Sequence, residues 1–496
     1  MRDTRPNVIL FLTDDQGYWA LGCSGNKELH TPNIDRLARE GVRFENFFCT
    51  SPVCSPARAS ILTGRIPSQH GVHDWIRGGN GNKPTDPPIE YLQGIPGYTD
   101  YMARQGYTCG ICGKWHLGAA GKPQKSYSHW FIARQAGAGT YIDSEMFSGE
   151  EVTKTKGYLT DIITDDALGF IENCHQEGKP FYLNLAFTAP HGPLVDQHKK
   201  EYVDHYMACT FDDIPQDSRH PWSPSHPVEI QYSESFMRKD RSHLTLKDLL
   251  AGYYAAIQGV DDSVGRVMKK LDELGIRENT LVVFMSDNGF NCGHHGIWGK
   301  GNATNPLNMY DTSVKVPCIF FMPGTIRQNA TEDALLSQYD FMPTLLDFLN
   351  IENPEAASLP GRSFLSALLT DENHEYRDSI TVFDEYGPVR MVRTKTWKLI
   401  HRYPYGPDEL YDLSRDPNEK LNLLAENRPF GYEPGDIEAK VIELRAAMEQ
   451  FFRKYTDPDK DGRVEPVCGR GQLRKVGPEA EGRLTFSPWV LQEYKR

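Results

Sequence analysis

The segment NVILFLTDD (residues 7–15) places a short apolar run directly before two aspartates, and the same order returns three more times along the chain. The other runs are YTCGIC (107–112), FYLNLAF (181–187) and TLVVFM (280–285), each followed within a few residues by polar side chains. Continuous apolar runs of this length are typical of strands that are buried on both faces, as in a parallel sheet. Because ligands bind beyond the carboxyl ends of such strands, the four polar clusters are predicted to form a single site.

Helical patterns lie between the apolar runs. NIDRLARE (33–40) stands between a start signal at Pro32 and a stop signal at Gly41, and residues 159–174 and 246–275 carry apolar side chains at helical spacing. Strands that alternate with helices indicate the α/β class. We therefore expect a large, mostly parallel central sheet flanked by helices, occupying residues 1–372.

The last quarter of the chain has a different pattern. From about residue 379, the segments SITVFDE, VRMVRTKTWKLI and DELYDL are typical of short strands in an antiparallel sheet, and residues 437–455 form an amphipathic helical pattern. They predict a smaller C-terminal α+β domain over residues 373–496. Residues 196–245 are polar and proline-rich without a clear period, and they are interpreted as a long excursion from the first domain.

Composition and charge narrow the functional classes. Hydrophobic residues make up 39% of the 496 residues and charged residues 24%, as in ordinary globular proteins. The net charge of −13 disfavours nucleic acid and acidic membranes as partners. No stretch approaches the ~20 apolar residues of a membrane-spanning helix, and the first apolar run is too short for the core of a signal peptide. We expect a cytoplasmic protein, unless a secretion signal has been removed.

The cysteines do not indicate a disulfide scaffold. There are ten in 496 residues, which is a low density for that class of protein. Cys109 and Cys112 form a C-x-x-C pair, but no second pair accompanies it. Buried strand cysteines are therefore the favoured interpretation, ahead of a zinc or redox site.

Carboxylate and amide side chains follow the first and the fourth apolar runs, namely Asp14, Asp15, Asp287 and Asn288. Oxygen-only ligands suit a hard cation, calcium or magnesium. Adjacent acids at a buried strand end would also repel each other strongly without a cation. Turn or helix-cap acids are the alternative for Asp14 and Asp15 alone, but the second pair at the same position of the sheet favours a metal site.

Basic side chains are predicted to converge on these acids, namely Lys114, His116, His191 and Lys300. In the stretch CTSPVCSPARASILTGR (49–65), Arg58 adds a planar guanidinium that can hold two oxygens of an anion. The segment after Cys54 is helical in pattern, and the N-terminus of this helix would favour negative charge at the same place. A cation, several basic groups and a helix N-terminus together suit the transfer of a sulfuryl or phosphoryl group.

The motif Cys54-x-Pro56-x-Arg58, followed by ASILTGR, resembles the modification signature of the type I sulfatases, which belong to the alkaline-phosphatase-like superfamily. Further motifs match in the order of the family: PNVILFLTDDQG (6–17), GKWHLG (113–118), APHGP (189–193), SDNGFNCGHHGIWGKGN (286–302), VKVPCIFFMPG (314–324), DFMPTLLDFLNI (340–351), TKTWKLI (394–400) and DELYDLSRDPNEKLNLL (408–424). The resemblance covers most of the chain, and the ordered set is far more specific than the first motif alone.

The resemblance implies that a formylglycine-generating enzyme converts Cys54 to Cα-formylglycine, with Pro56 and Arg58 serving its recognition. One hydroxyl of the hydrated aldehyde would attack sulfur, and the loss of a proton from the other would then expel sulfate. The resemblance also implies a calcium ion, rather than magnesium, on the residue formed from Cys54 and on the four oxygen ligands Asp14, Asp15, Asp287 and Asn288.

The same resemblance assigns roles to the basic residues. Arg58 and Lys114 would hold the aldehyde hydrate and its sulfate adduct, and His116 would take the proton from the second hydroxyl. His191 and Lys300 would bind the sulfate, and one of them would protonate the leaving oxygen. Asp287 would help to deprotonate the attacking hydroxyl.

Two loops are candidates for substrate contacts. In QHGVHDWIRGGN (69–80), the side chains of His73, Asp74 and Trp75 are predicted to line the substrate pocket, with loop packing as an equal alternative. His295, in the loop before Lys300, is a further candidate. The expected substrate is a sulfated small molecule, preferably a saccharide. The alternatives are a phosphonate or phosphate ester hydrolase on the same scaffold and a catalytically silent binder of sulfated ligands.

Overall fold

The computed structural model describes residues 5–81, 85–135, 139–223, 244–371, 376–384, 388–404, 406–426, 431–463, 471–480, 482 and 484–486. Its strands are β1 (Asn7–Thr13), β2 (Val42–Phe44), β3 (Phe47–Phe48), β4 (Thr108–Gly113), β5 (Tyr127–Ala133), β6 (Glu145–Ser148), β7 (Glu151–Lys154), β8 (Phe181–Ala186), β9 (Thr280–Ser286), β10 (Asn291–Cys292), β11 (Trp298–Gly299), β12 (Cys318–Phe321), β13 (Ala330–Glu332), β14 (Leu336–Ser337), β15 (Ile380–Asp384), β16 (Val389–Arg393), β17 (Trp397–Arg402) and β18 (Glu409–Asp412).

The α-helices follow the same numbering by chain order. They are α1 (Pro32–Glu40), α2 (Cys54–Thr63), α3 (Pro67–His70), α4 (Tyr98–Arg104), α5 (Leu159–Glu177), α6 (Lys200–Tyr206), α7 (Leu246–Glu273), α8 (Asp311–Val314), α9 (Phe341–Phe348), α10 (Leu365–Leu369) and α11 (Pro434–Tyr455). Among the helices described, none combines the length and the apolarity that crossing a bilayer requires.

Ten strands form the main sheet, in the order β13-β2-β12-β9-β1-β8-β4-β5-β6-β7. The five central strands, from β9 to β5, pair in parallel, whereas β12 and β6 join this core antiparallel. The four apolar runs found in the sequence are β1, β4, β8 and β9, and they stand next to one another in the sheet. The predicted α/β class with a large, mostly parallel sheet is confirmed.

Helices cover both faces of the main sheet. Along β1, Ile9 and Phe11 pack with side chains of α1, α5 and α7 in one core cluster. Val8 and Leu10 belong to the cluster on the opposite face, together with side chains of α2, α4 and α9. All seven residues of β1 are buried, which explains why residues 8–12 form a continuous apolar run instead of alternating with polar residues.

The predicted second sheet is present and has four strands in the antiparallel order β15-β16-β17-β18. The segment VRMVRTKTWKLI supplies two of them, β16 and β17, because the chain turns between Arg393 and Trp397. One face of this sheet packs on the core of the main body through side chains such as Val382 and Met391. The other face packs on α11, which begins three residues before the predicted helix. The domain boundary at residue 372 lies outside the described residues and stays a prediction.

The excursion predicted over residues 196–245 is not entirely without regular structure. Helix α6 lies within it and packs on α7 through an apolar cluster that includes Tyr202, Tyr206 and Leu250. The helix has seven residues, which is too short for the period to stand out in the sequence. Residues 224–243 lie outside the described part.

A buried ionic cluster joins the second sheet to the main body. Lys398 on β17 has a completely buried side chain, and its Nζ lies 2.9 Å from Oδ1 of Asp311 and 2.5 Å from Oε1 of Glu419. Arg393, opposite Lys398 on β16, contacts the other oxygen of Asp311 at 3.2 Å. Burial by itself would raise the pKa of Asp311, but the positive charges of Arg393, Lys398 and Lys315 outweigh it and hold that pKa far below its usual value.

We expect Lys398→Met to lower the free energy of unfolding by about 3–5 kcal/mol, because it leaves Asp311 and Glu419 buried with one cation fewer. Urea denaturation followed by circular dichroism measures the change. Lys395→Met is the matched control, since Lys395 lies in the same hairpin and is half exposed in its pair with Asp333, so a change within about 0.5 kcal/mol is expected. Equal effects of the two substitutions would contradict this prediction.

Candidate functional site

The polar clusters meet where the central strands end. Strands β1 and β9 are neighbours in register, with Thr13 opposite Ser286, so the residues that follow them lie side by side. The backbone N–H of Asp287 donates to the carbonyl of Thr13 at 3.0 Å. The N–H of Asp14 donates at 3.1 Å to the carbonyl of Ala189, a residue that follows β8. Parallel pairing therefore brings together residues that are more than 270 positions apart in the chain.

The predicted metal ligands form one buried cluster. Ligand atoms of Asp14, Asp15, Cys54 and Asp287 all lie within 4.8 Å of one another. Oδ1 of Asp287 accepts hydrogen bonds from the backbone N–H of Asp15 at 3.1 Å and of Asn288 at 2.8 Å. The side-chain amide of Asn288 donates to Oδ1 of Asp15 at 2.7 Å.

Three cationic side chains surround the carboxylates. Nε of Arg58 donates to Oδ2 of Asp287 at 2.9 Å, Lys114 pairs with Asp14, and Lys300 pairs with Asp15. All three cationic side chains are less than a tenth exposed. Three fixed positive charges thus face three carboxylates, so the addition of a divalent cation would leave the centre with a net positive charge of two, which suits an anionic substrate.

Lys114 reaches the cluster because β4 ends against β8. Gly113 has a φ of 117°, and a Cβ at this position would lie 1.9 Å from the carbonyl oxygen of Ala186. Only glycine fits there. The N–H of Lys114 then donates to that carbonyl at 2.6 Å, which fixes the start of the Lys114 side chain at the strand end.

Cys54 is the first residue of α2, and all ten residues of this helix are buried. Among the described residues no side chain caps the N-terminus of α2, so the positive end of the helix lies at Cys54, beside the cluster. Sγ of Cys54 lies 3.1 Å from Oδ1 of Asp14 and 2.9 Å from Nζ of Lys300. The thiol therefore stands between the carboxylates and a lysine.

The electrostatics of the cluster are uneven. Burial favours the neutral form of Asp14, yet Lys114, His191, Arg58 and Lys300 together hold its pKa well below the usual value. Burial, and then the charge of Asp14, raise the pKa of Asp287 to about 7. Burial and Asp14 also raise the pKa of the Cys54 thiol far above its usual value. Unmodified Cys54 would therefore remain a protonated thiol, which is a poor nucleophile.

The His116 ring offers a basic nitrogen to the site. Its Nε2 lies 3.2 Å from the carbonyl oxygen of Ile76, which can only accept, so Nε2 carries the hydrogen. Nδ1 is then the basic atom, and this buried nitrogen has no hydrogen-bond partner among the residues that the structure describes. Burial and the charge of Lys114 hold the pKa of His116 well below its usual value, so the ring is neutral.

His191 occupies the more open side of the cluster. Its Nδ1 donates to the carbonyl of Gly192 at 2.7 Å, and its Nε2 lies 3.7 Å from Oδ2 of Asp15. The side chain is 25% exposed, whereas that of Asp15 is 5% exposed. Since the side chain is partly exposed and its Nε2 lies near Asp15, His191 is placed to exchange a proton with a group that leaves toward solvent.

Two site residues have a backbone conformation that non-glycine residues rarely adopt. Asp15 has a φ of 66° and His116 a φ of 57°. Such left-handed positions cost about 1–3 kcal/mol each and persist where the surrounding structure enforces them. Both residues lie two or three positions after the end of a central strand, β1 or β4, where the left-handed conformation changes the direction of the side chain.

Gln338 supports the cluster, although nothing in its sequence context marks it. Its fully buried side-chain amide donates to the carbonyls of Ser286 at 3.0 Å and Asp287 at 2.7 Å, and its oxygen accepts from the N–H of Thr50 at 3.2 Å. Gln338 thus ties the loop before Cys54 to the end of β9.

Ser55 also supports the site, since its hydroxyl donates to the carbonyl of His116 and accepts from the N–H of Ile76.

His73 and Asp74 are almost completely buried and bond to the C-terminal segment. Oδ2 of Asp74 accepts from the N–H of Gly471 at 2.8 Å, and Nε2 of His73 lies 2.9 Å from the carbonyl oxygen of Lys460. Both side chains therefore have a packing role in this structure. A substrate contact by either one stays a prediction.

Trp75 and His295 lie in different surroundings. Trp75 is half-buried, with the guanidinium of Arg77 6.0 Å from its ring. The ring of His295 stacks on Tyr310 with centroids 3.9 Å apart, and its backbone N–H donates to Asp217. Their predicted substrate contacts also stay predictions.

Gln472 clamps the loop that carries His73 and Asp74. Its fully buried side chain accepts from the N–H of His73 and donates to the carbonyls of Gly71 and Arg474, each at 2.9 Å. Its backbone bonds to Trp75, Arg77 and Gly78. The clamped loop contains the Ile76 carbonyl that sets the tautomer of His116.

We expect Gln472→Ala to lower kcat by roughly 10-fold, because the Ile76 carbonyl and the His116 ring would lose their fixed position. The free energy of unfolding should also fall by about 1–3 kcal/mol, since buried groups lose their partners. Steady-state kinetics and urea denaturation measure the two effects. Gln93→Ala is the control, because Gln93 contacts the same segment through Lys475 but is exposed. Wild-type kcat in folded Gln472→Ala would contradict the prediction.

The donor set fits a hard divalent cation. Three carboxylates and one side-chain amide converge, and burial, followed by the charge of Asp14, raises the pKa of Asp287 to about 7 when only protein charges are present. A bound cation would favour the charged form of these carboxylates.

Two family models match the chain. The model described as Sulfatase matches residues 6–351, which include every cluster residue described above. The model described as N-sulphoglucosamine sulphohydrolase, C-terminal, matches residues 293–441 and thus includes the second sheet.

Similar proteins cover nearly the whole chain. An N-acetylglucosamine-6-O-sulfatase of Bacteroides thetaiotaomicron is 28% identical over 95% of this chain and 90% of its own length. An arylsulfatase of Clostridium perfringens is 28% identical over 95% of this chain and 100% of its own. A solved structure in complex with its substrate, D-glucosamine-2-N,6-O-disulfate, has a TM-score of 0.74 and 27% identity, and the match covers 92% of this chain and 99% of that one.

Proposed function

Since this chain belongs to the sulfatase family and is a sulfuric ester hydrolase, we propose that it acts on a sulfated saccharide, with a nucleophile made from Cys54 and a bound calcium ion. One observation carries the proposal. The first residue of a buried helix, Cys54, lies within hydrogen-bond distance of a carboxylate of the predicted metal site and of Lys300.

The environment of Cys54 favours modification over direct thiol chemistry. A thiol whose pKa is raised by burial and by Asp14 does not supply a thiolate near neutral pH. The motif around it is the one that the family's modifying enzyme recognises, and Ser55 and Arg58 within the motif have structural partners of their own. When formed, the hydrated aldehyde supplies both the attacking hydroxyl and a second hydroxyl whose deprotonation releases sulfate.

Calcium would be held by Asp14, Asp15, Asp287 and Asn288, and it would supply Lewis-acid polarisation of a sulfate oxygen. Lys114 and Lys300 bind two of these carboxylates in the structure, so their ammonium groups would turn toward the substrate when a cation takes the carboxylate oxygens. The lysines and Arg58 then neutralise the negative charge that develops on the sulfate oxygens during transfer.

The histidines divide the proton transfers between them. His116, which is neutral and whose Nδ1 has no partner in the described part of the chain, acts as the base that accepts a proton from the residue at position 54. His191 stands on the more exposed side and protonates the oxygen that leaves with the saccharide. Lys300 is the alternative donor for that step, since its Nζ also lies in the cluster.

A saccharide substrate is supported by the relatives and by the surroundings of the site. One similar protein is named as an N-acetylglucosamine-6-O-sulfatase, and a similar structure holds a glucosamine disulfate. The half-buried Trp75 lies in the loop whose Ile76 carbonyl contacts His116, and an indole of this kind can stack on a sugar ring.

Two measurements test the proposal. The first is the mass of the peptide that carries Cys54, from protein produced together with a formylglycine-generating enzyme. A mass that corresponds to an aldehyde in place of the thiol supports the proposed nucleophile. An intact thiol, when the enzyme has modified a control peptide, overturns it.

The second measurement separates the possible substrates. Modified protein is assayed with a glucosamine 6-sulfate, an aryl sulfate and the matched phosphate esters, and we expect the highest kcat/KM with the sulfated saccharide. Faster turnover of the phosphate esters would replace sulfate by phosphate as the substrate class. Binding of the sulfated saccharide without turnover, in protein that carries the aldehyde, would identify a silent binder.

A further inference from the structure

Cys112 lies in a second cluster of metal-binding side chains, on the face of the main sheet that α5 covers. Cys109 and Cys112 are both buried in β4, as predicted, but they lie in different core clusters on opposite faces of the sheet. They therefore do not form a pair. Sγ of Cys112 instead lies 3.1 Å from Oδ2 of Asp166 on α5, and Nε2 of His129 on β5 lies 2.6 Å from the same oxygen.

Three different ligand types converge at this point. One ligand atom from each of Cys112, His129 and Asp166 lies within 4.8 Å of the other two. In tetrahedral zinc sites the corresponding ligand-to-ligand distances are roughly 3.4–3.6 Å, given the usual zinc–ligand bond lengths. The two short contacts would thus have to lengthen by less than one ångström to admit the ion, a shift that small rotations of His129 and Asp166 can supply.

The three residues stand on regular elements that fix their backbones. β4 pairs with β5 on one side and with β8 on the other, so Cys112 cannot move without the sheet. Phe170, one helical turn after Asp166, occupies the space above Gly110 and lies against the His129 ring at 5.0 Å. This packing fixes the distance between α5 and the two strands, as a preorganised metal site requires.

Exposure leaves room for a fourth ligand. Cys112 is completely buried, whereas the side chains of His129 and Asp166 are 33% and 25% exposed. An ion above the three atoms would therefore have solvent on its outer side, and water could complete a tetrahedron. Soft sulfur and imidazole nitrogen favour zinc over calcium or magnesium.

We propose that Cys112, His129 and Asp166 form a zinc site that ties α5 to strands β4 and β5. On binding, the thiol of Cys112 loses its proton to solvent, and His129 coordinates as a neutral imidazole through Nε2 with its hydrogen on Nδ1. Asp166 exchanges its hydrogen bonds for one bond to the metal. This site is separate from the sulfatase centre, and the proposal does not depend on the proposed substrate.

Cobalt substitution tests the proposal in the full-length chain. The experiment uses the Cys54→Ala background, treated with chelator and then saturated with calcium, so that the cysteine which the described residues place in the sulfatase centre is absent. We expect one Co²⁺ per chain to give a thiolate-to-cobalt charge-transfer band with tetrahedral ligand-field bands, both lost when Zn²⁺ displaces the cobalt. The absence of a charge-transfer band would overturn the proposal.

Variants assign the band to its ligands. Cys112→Ser should abolish the charge-transfer band, and His129→Gln should weaken cobalt binding by roughly 10-fold or more. Cys174→Ser is the control and should leave the band unchanged. Cys174 is a buried cysteine of α5, the helix that carries Asp166, but it lies outside the cluster. If Cys112→Ser does not fold, the cobalt affinity of the His129→Gln variant tests the assignment, because His129 is partly exposed. A band that survives folded Cys112→Ser, or wild-type affinity in His129→Gln, would contradict the assignment.

Discussion

Cys54→Ala is expected to lower sulfatase turnover by roughly 10⁵-fold or more, because the variant has no thiol that the modifying enzyme could convert to the nucleophile. The lost Sγ contacts Asp14 and Lys300, and both keep other partners. Alanine also favours the first turn of α2, so the fold should persist. Sulfate release from an aryl sulfate measures the loss, and circular dichroism with thermal unfolding checks the fold.

The control for this prediction is Cys23→Ala. Cys23 is a partly buried cysteine that lies near Asp35 and outside the catalytic cluster, so its removal should leave turnover within about twofold of wild type. Both proteins are produced with the modifying enzyme. Substantial turnover by pure, folded Cys54→Ala protein would rule out a nucleophile at this position.

Asp287→Asn is expected to lower kcat/KM by roughly 10³-fold or more, since several kcal/mol of transition-state stabilisation depend on the cation. Asp287 has three partners: the N–H groups of Asp15 and Asn288, and Nε of Arg58. Asparagine can satisfy the two backbone donors, but its amide would then face the guanidinium of Arg58. The variant would therefore lose a proposed metal ligand and misplace Arg58.

Calorimetric titration of chelator-treated protein with calcium tests the metal part of this prediction. Wild type should bind calcium and regain activity, with magnesium restoring less, and Asp287→Asn should bind at least 100-fold more weakly. Asp165→Asn is the matched control, since Asp165 is an exposed aspartate of α5 paired with Arg266. Calcium affinity in Asp287→Asn equal to that of Asp165→Asn would exclude Asp287 as a ligand.

The net charge of the whole protein differs from the local charge of its catalytic centre. The chain carries −13 overall, yet Arg58, Lys114 and Lys300 balance the three carboxylates of the cluster before any cation is added. An anionic substrate thus meets a positive centre within an acidic protein once a cation is bound.

The sequence alone determined the central strands and the residues at their ends. The apolar run of β1 is buried on both faces, and so are those of β4, β8 and β9, so their pattern depends on local sequence and solvent exclusion. Polar residues directly after such strands must lie at one edge of a parallel sheet. For this reason Asp14, Lys114 and Asp287 could be placed together before any contact was known.

Only the tertiary structure decided which side chains support that edge. Gln338 holds Asp287, and Gln472 holds the loop around His73 through contacts that span about 50 and 400 residues of chain. For the loop with His73 and Asp74, the sequence left pocket lining and loop packing as equal alternatives, and in the structure both side chains are buried and bond to residues of the C-terminal segment. Buried strand positions were the favoured interpretation of Cys109 and Cys112, and only the structure shows that His129 and Asp166 lie beside Cys112.

The physical reason is the range of the interactions. Periodicity records which face of a strand or helix is buried, because burial acts on each residue through its immediate surroundings. A single hydrogen bond between a glutamine and a distant loop leaves no periodic trace, since it depends on which strands become neighbours and how the C-terminal segment returns. In this protein, local sequence therefore placed the reactive groups, and tertiary contacts fixed their orientation.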